Sequence, residues 1–410
     1  MKVLVADKLE TSGLEGIKRL GCEVIFEPDI SGDSLRDKVA ESGADVLIVR
    51  STKVPKEVSN AGKLGLIIRA GAGVNTIDVE AASERGILVA NCPGKNSIAV
   101  AELAFGLMLS LDRHIPECYQ EFNAGHWNKK AYSKAKGLYG RTLGLVGLGA
   151  IGQEMITRAK AFGMKVVAMS RWLTPDVAAA LNIGRATSLQ DIADQCDIIS
   201  LHVSLRPETR NLINEEFIAS LKPGSMLINT SRSEVVDQAA LKKAVDEGRI
   251  VAGMDVFAEE PSFAEGEFTS ELQGTKGVVI THHIGASTEQ AQEAVAAETV
   301  KIVRDFLTTG NVTRANAVNV RSGQTTTSHL IIVRHKDEVG VLADVFAVLK
   351  GAGVNVQEME NIVLASAKSA IAQIAVDQEV SAETLTALKM ILAVYDVTQM
   401  DIRAARSGQE

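Results

Sequence analysis

At 410 residues the chain exceeds what a single hydrophobic core usually organises, so two or three domains are expected, and 46% hydrophobic residues supply the core material. Its 43 basic and 51 acidic residues leave a net charge of -8 without any basic run, which argues against a sequence-independent hold on nucleic acid. Cys22, Cys92, Cys118 and Cys196 lack metal-ligand or redox spacing and suit buried, reduced thiols; with no signal-peptide layout and Glu102 breaking the longest apolar stretch, a cytoplasmic protein away from membranes is expected.

β-branched runs at residues 3–6, 24–26, 46–49, 66–68 and 87–90 alternate with helical stretches, the pattern of a parallel α/β sheet. Residues 97–111 are apolar around nearly the whole circumference, which predicts a helix buried between domains or subunits. A strand at 142–146 then runs into Gly147-Leu148-Gly149-Ala150-Ile151-Gly152 and a helical pattern. In that setting the glycines read as a dinucleotide turn: the first permits a tight turn, the second lets backbone approach a pyrophosphate, and the third packs helix on strand. The phosphates would meet a helix N-terminus. Residues 165–169, 198–203, 226–230, 251–256 and 278–281 read as later strands of a second sheet, so a cleft between two sheets is expected.

A helical stretch at 288–307 leads to a polar, Thr-rich segment at 322–328 that reads as a linker. Beyond it, a strand at 330–333 is followed by a helix with Leu342, Val345, Phe346 and Leu349 on one face, and by strands at 354–359 and 370–376. A helix carrying Leu385, Leu388 and Leu392 and a last strand at 397–402 complete the order βαββαβ, the ferredoxin-like plan.

Oxidising a secondary alcohol beside a carboxylate needs a base for the hydroxyl proton, a cation for the carboxylate and a nicotinamide to accept hydride. Three residues near strand ends meet the first two needs. Arg232 offers a planar fork that lysine cannot copy, His283 titrates near neutral pH, and Glu259, in the run from Asp255 to Pro261, would orient and charge-stabilise that histidine.

Arg69-Ala70-Gly71-Ala72-Gly73-Val74, the glycine turn, residues 229–237, residues 255–261 and His283-Ile284-Gly285-Ala286-Ser287-Thr288 follow one another as in the D-isomer-specific 2-hydroxyacid dehydrogenases, which nearly the whole chain resembles. The resemblance implies two Rossmann-like or flavodoxin-like parallel-sheet domains, the first one split: a substrate domain at 1–93 and 284–320 around an NAD(P)-binding domain at 94–283, then a linker at 321–328 and a small domain at 329–410. It implies that His283 is the acid/base, Glu259 its partner and Arg232 the substrate anchor, with the amides of Gly71, Ala72, Gly73 and Val74 holding the carboxylate. Gly147, Gly149, Ala150, Ile151, Gly152, Ser170, Arg171, His202, Val203, Ser204, Ser231, Arg232, Asp255, His283 and Gly285 would line the cofactor. Arg50, Lys53 and Lys129 match positions that hold a distal phosphate, which implies oxidation of 3-phospho-D-glycerate to 3-phosphohydroxypyruvate on the way to L-serine. The alternatives are a glyoxylate or hydroxypyruvate reductase, and a dinucleotide-sensing corepressor on the same fold. The C-terminal unit resembles an ACT domain, a small-molecule-sensing module, with His335, Asp337 and Asn355 at effector positions for L-serine; otherwise it only holds a homodimer or homotetramer together.

Several residues depart from the family pattern. The strand at 165–169 leads into Ser170-Arg171 where an acidic residue normally meets the ribose hydroxyls, so NADP is expected beside the family's usual NAD. Ser233-Glu234 replaces two glycines, and His282, an alternative acid, replaces a proline. Asp337 and Val339 stand for asparagine and proline in the ACT loop, so a carboxylate there would repel the effector's own.

Overall fold

The computed structural model describes residues 1–261, 265–320, 329–365 and 367–401, and the predicted linker lies outside them, as does the end of the last predicted strand. The chain divides into two compact units, Met1–Asn319 and Val320–Glu410.

The first unit is built on two all-parallel sheets. β1 (Lys2–Val5), β2 (Glu23–Phe26), β3 (Val46–Val49), β4 (Leu66–Arg69) and β5 (Leu88–Asn91) form one in the order β2-β1-β3-β4-β5. Helices cover both faces, so β3 is buried along its whole length and its sequence is a continuous apolar run rather than an alternation. The second sheet contains β6 (Thr142–Val146), β7 (Lys165–Met169), β8 (Gly184–Arg185), β9 (Ile198–Leu201), β10 (Ser225–Asn229), β11 (Ile250–Met254) and β12 (Val278–Ile280). Their order, β12-β11-β10-β9-β6-β7-β8, reverses at β6, the switch point where such sheets bind ligands. β8 was not predicted, since a two-residue strand carries no periodicity.

The predicted all-apolar helix spans Ser97–Arg113 and lies on the second sheet, where Phe105, Leu107 and Met108 share a core with Leu143, Leu145 and Ile228. The long helix Glu289–Thr309 returns to the first sheet: Ile302 and Val303 pack with Val3, Val5 and Ile17, and Ala317 bridges to Ala90. Four strands of the second sheet stop sooner than predicted, which leaves His202, Thr230, Asp255 and Thr281 just past the ladder.

In the second unit β13 (His329–Lys336), β14 (Val356–Val363), β15 (Ser369–Val376) and β16 (Val394–Asp401) form an antiparallel sheet in the order β14-β15-β13-β16. With the helices Val341–Gly351 and Ala382–Lys389 this is the expected ferredoxin-like arrangement. Leu392 does not belong to the second helix, which stops at Lys389 and leaves that side chain exposed.

Candidate active site

Gly147 turns the chain after β6 with φ 96°, donating its N–H to Met169 O at 3.0 Å; a Cβ there would stand 2.5 Å from the His202 carbonyl oxygen. Only glycine fits that contact. A Cβ on Gly152 would approach Gly147 O to 2.7 Å, whereas one on Gly149 would meet nothing within 4 Å. Gly149 caps the helix Ala150–Ala161 without a side-chain bond, leaving the first N–H groups for an anion. The donor set and the space over Gly149 therefore fit a dinucleotide pyrophosphate, with Ala150 and Ile151 in the first helical turn.

His202, Val203 and Ser204 continue from β9 beside this turn, and His202 N donates to Val146 O at 2.8 Å. Burial pushes the His202 imidazole down to about 3, so it stays neutral at physiological pH. Its Nε2 lies 2.8 Å from Ser200 Oγ, while its Nδ1 is buried without a partner. Thr230 Oγ1 is likewise unpartnered, and since Leu201 pairs with Asn229, Thr230 follows on the strand beside His202. Two unsatisfied polar atoms at neighbouring strand ends suit a hydroxyl-rich ligand. Ser170 and Arg171 follow β7 on the other side of the turn, with Arg171 exposed and no carboxylate at the strand end.

His283 sits on the loop after β12 in the left-handed region, φ 52°. Asp255, buried at the end of β11, holds that loop by accepting from Thr281 Oγ1 (2.6 Å), Ile284 N (2.8 Å) and Gly285 N (2.9 Å). The Asp255 carboxylate, expected at the cofactor, is thus committed to positioning the histidine. His283 Nδ1 is 2.7 Å from Glu260 Oε2, and this hydrogen bond, more than the opposing effect of burial, raises the imidazole above its ordinary pKa. The expected partner, Glu259, is corrected by the geometry: its carboxylate accepts two bonds from Gln238 Nε2, both 2.8 Å, and one from Ser270 Oγ at 3.0 Å. Gln238 opens the helix Gln238–Asp246, and it also takes the Ala258 N–H, so the loop is pinned with Glu259 turned toward Gln238 and Glu260 toward the histidine.

Arg232 follows β10, where the Asn229 side chain braces the turn by accepting from Ser231 N and Oγ and donating to Arg232 O. Arg232 Nη1 donates to Ser231 O at 2.6 Å, and its Nη2 reaches across to the first sheet, within 2.6 Å of where a Cβ on Gly73 would stand. The guanidinium and the loop of Gly71, Ala72, Gly73 and Val74 are therefore brought together as expected from the sequence. Arg69, singled out only as part of a motif, lies against the same loop: a Cβ on Gly71 would collide with its Nη1.

Of the expected distal cations, Arg50 is anchored by its N–H to Asp7 Oδ2 (2.6 Å) and by Nη1 to Gln292 Oε1 (3.0 Å), while Lys53 and Lys129 are exposed, with no hydrogen bond or ion pair among the described residues. Glu234 and His282 are exposed as well. In the second unit the effector trio is not gathered at a surface. Asp337 and Asn355 are exposed, but His335 is buried, its Nδ1 2.7 Å from Lys336 O and its Nε2 3.1 Å from Asn361 Oδ1.

Residues 105–285 match the family described as "D-isomer specific 2-hydroxyacid dehydrogenase, NAD binding domain". The chain is 45% identical over 260 residues to the hydroxypyruvate reductase of Thermotoga maritima, covering 63% of this chain and 83% of that one. It is 39% identical over 331 residues to the D-3-phosphoglycerate dehydrogenase of Methanocaldococcus jannaschii, covering 79% of this chain and 62% of that one. An NAD+-bound 3-phosphoglycerate dehydrogenase from Entamoeba histolytica superposes with a TM-score of 0.64 at 28% identity, over 78% of this chain and 99% of that one. The chain belongs to the D-isomer specific 2-hydroxyacid dehydrogenase family, whose nucleotide domain binds NAD. It spans about half to three-fifths of the length of the curated phosphoglycerate dehydrogenases it matches.

Proposed function

We propose that the chain oxidises 3-phospho-D-glycerate to 3-phosphohydroxypyruvate, leading toward L-serine, with NAD and also NADP as cofactors. The observation that carries the reading is Arg232 reaching the Gly73 backbone, on the loop that also lies against Arg69, opposite the polar strand ends of a dinucleotide-binding sheet. Bound nicotinamide supplies the hydride acceptor. Arg232 and the amides of Gly71 to Val74 fix the substrate carboxylate. His283, held by Glu260, takes the hydroxyl proton in oxidation and returns it in reduction. Ser170 and the exposed Arg171 leave room for a 2′-phosphate that an acid would repel.

Hydroxypyruvate reductase is the second reading, favoured by the 45% identity to a reductase of which the chain spans 83%. No helix among the described residues is long and apolar enough to cross a membrane, and we place the enzyme in the cytoplasm. A homodimer or homotetramer is supported by the helix Ile115–Asn123, which buries no residue and carries the exposed Tyr119 and Phe122, and by the exposed Trp127 and Tyr139 further along the chain. With His335 committed inside its unit, the ACT-like domain fits assembly better than L-serine sensing.

The purified chain should be assayed with phosphohydroxypyruvate, hydroxypyruvate and glyoxylate against both NADH and NADPH. Phosphohydroxypyruvate should give the highest kcat/KM by at least ~10-fold, with both cofactors used. A win for hydroxypyruvate transfers the conclusion to the second reading, and NADH binding without turnover of any ketoacid points to a corepressor.

A further inference from the structure

We propose that the cavity between the helix Gln238–Asp246 and the turns at 271–277 is an effector site for an α-amino acid with an apolar side chain. The cavity measures about 610 Å³ and lies at the N-terminal ends of β11 and β12, the end of the second sheet opposite the candidate active site. Its floor is apolar, with Val245 and Ile250 buried and Val251 beside them. Gly277, at φ 86°, passes over the valines so closely that a Cβ would stand 3.3 Å from Val251 Cγ1 and 3.4 Å from Val245 Cγ1. Bare backbone there keeps both valines within reach of a ligand.

The rim carries charges of both signs. Lys242 and Asp246 satisfy each other, Nζ to Oδ2 at 2.6 Å, which leaves the Glu271 and Lys276 side chains with no hydrogen bond or ion pair among the described residues. The backbone N–H groups of Lys276 and Gly277 likewise have no partner among them. A simple anion would suit Lys276 but meet Glu271, and a simple cation would suffer the reverse, so the rim favours a zwitterion. An ammonium toward Glu271, a carboxylate toward Lys276 and the two N–H groups, and a side chain on the valines together describe an aliphatic or aromatic α-amino acid.

Both walls of the cavity also hold Glu259. Gln238, which donates to that carboxylate, lies one turn before Lys242 on the same helix, and Ser270, whose Oγ donates to it at 3.0 Å, directly precedes Glu271. Ser270 is joined to the turns at 271–277 by Leu272 N to its Oγ (3.2 Å) and Gln273 N to its carbonyl (3.1 Å), and the turns run into β12, the strand that leads to His283. A ligand tying the two walls together favours the arrangement in which both grip Glu259 and Glu260 is left facing the histidine.

Calorimetry on the full chain with L-phenylalanine, and with phenylacetate and phenethylamine as singly charged analogues, tests the site. L-Phenylalanine should bind at least ~10-fold tighter than either analogue, and Lys276→Met and Glu271→Gln should each weaken it by about 10-fold with the unfolding temperature near that of the parent. Saturating L-phenylalanine should raise kcat for ketoacid reduction about two- to fivefold, and Ser270→Ala should abolish the rise while leaving the binding in place. Absence of binding by both L-phenylalanine and L-leucine at millimolar concentration, equal binding of an analogue, or binding indifferent to both rim substitutions would overturn the site. Binding as expected with kcat unmoved would overturn the effector role. The turnover arm rests on the dehydrogenase reading above, and a chain that reduces no ketoacid with or without the amino acid would strike that reading while the calorimetry still decides the site.

Discussion

His283, on the loop after β12, and His335, near the end of the inner strand β13, both have a hydrogen bond on Nδ1, yet their surroundings differ in every respect that governs proton exchange. The His283 side chain is half exposed and faces a carboxylate, so its charged form is stabilised while water and substrate can reach Nε2. His335 is 2% exposed and lies between a backbone carbonyl and a side-chain amide, with both nitrogens occupied by its own unit. The contrast shows that a histidine's role is set by which partner it has and what remains open to the outside, neither of which its place in a motif reveals.

The comparison breaks most sharply on removal of each ring. His283→Ala should lower kcat by about 10³-fold while the unfolding temperature stays near that of the parent. His282→Ala, beside it, serves as the control, and loss of turnover there instead would invert the assignment. The second test separates the neighbouring carboxylates. Glu260→Gln should reduce kcat by about 10–100-fold and Glu259→Gln by no more than about threefold. The sign of the pH effect follows from the raised His283 pKa: reduction needs the protonated ring, so its rate falls as pH rises through that pKa. Removing the Glu260 charge lowers the pKa, and the fall should move to lower pH, as should the acid-side limb of oxidation. Glu259→Gln should leave both limbs in place. The smallest effect on activity is expected in the second unit, where His335→Leu strands Asn361 and the Lys336 carbonyl at a cost of about 1–3 kcal/mol. Calorimetric unfolding should register that loss with kcat unaltered; a fall in kcat at constant stability would make His335 a functional residue after all.

Much of the fold could be read from the sequence because strands buried on both faces announce themselves as apolar runs. β3, β6 and β7 have the predicted bounds, and the glycine turn stands between strand and helix where its spacing put it. Arg232, His283 and the Gly71 loop were legible for a related reason, since each follows directly from a strand end. What stayed hidden depends on contacts from elsewhere in the chain. The one local difference between Glu259 and Glu260 is that Glu260 adjoins Pro261; Gln238, on a helix elsewhere in the chain, decides which turns toward His283. Arg69 reads as a polar end to an apolar strand, and its company with Arg232 arises only when two sheets face each other. Leu392 kept the helical period but falls after the helix has ended, a boundary that periodicity does not mark. His335 keeps the inward parity of Ile331 and Val333 along β13, a signal of burial that the effector expectation passed over.

The return of Glu289–Thr309 to the first sheet bears on how the polypeptide is made. Val3, Val5 and Ile17 emerge from the ribosome early, but the side chains that cover them, Ile302, Val303 and Val312, are synthesised only after the whole second sheet. The later sheet is contiguous in sequence and can close as soon as it is translated, whereas the earlier one must wait with apolar surface uncovered, reversing the usual order in which nascent domains mature. Chaperone capture of stalled nascent chains should therefore centre on the first hundred residues rather than on the nucleotide-binding lobe.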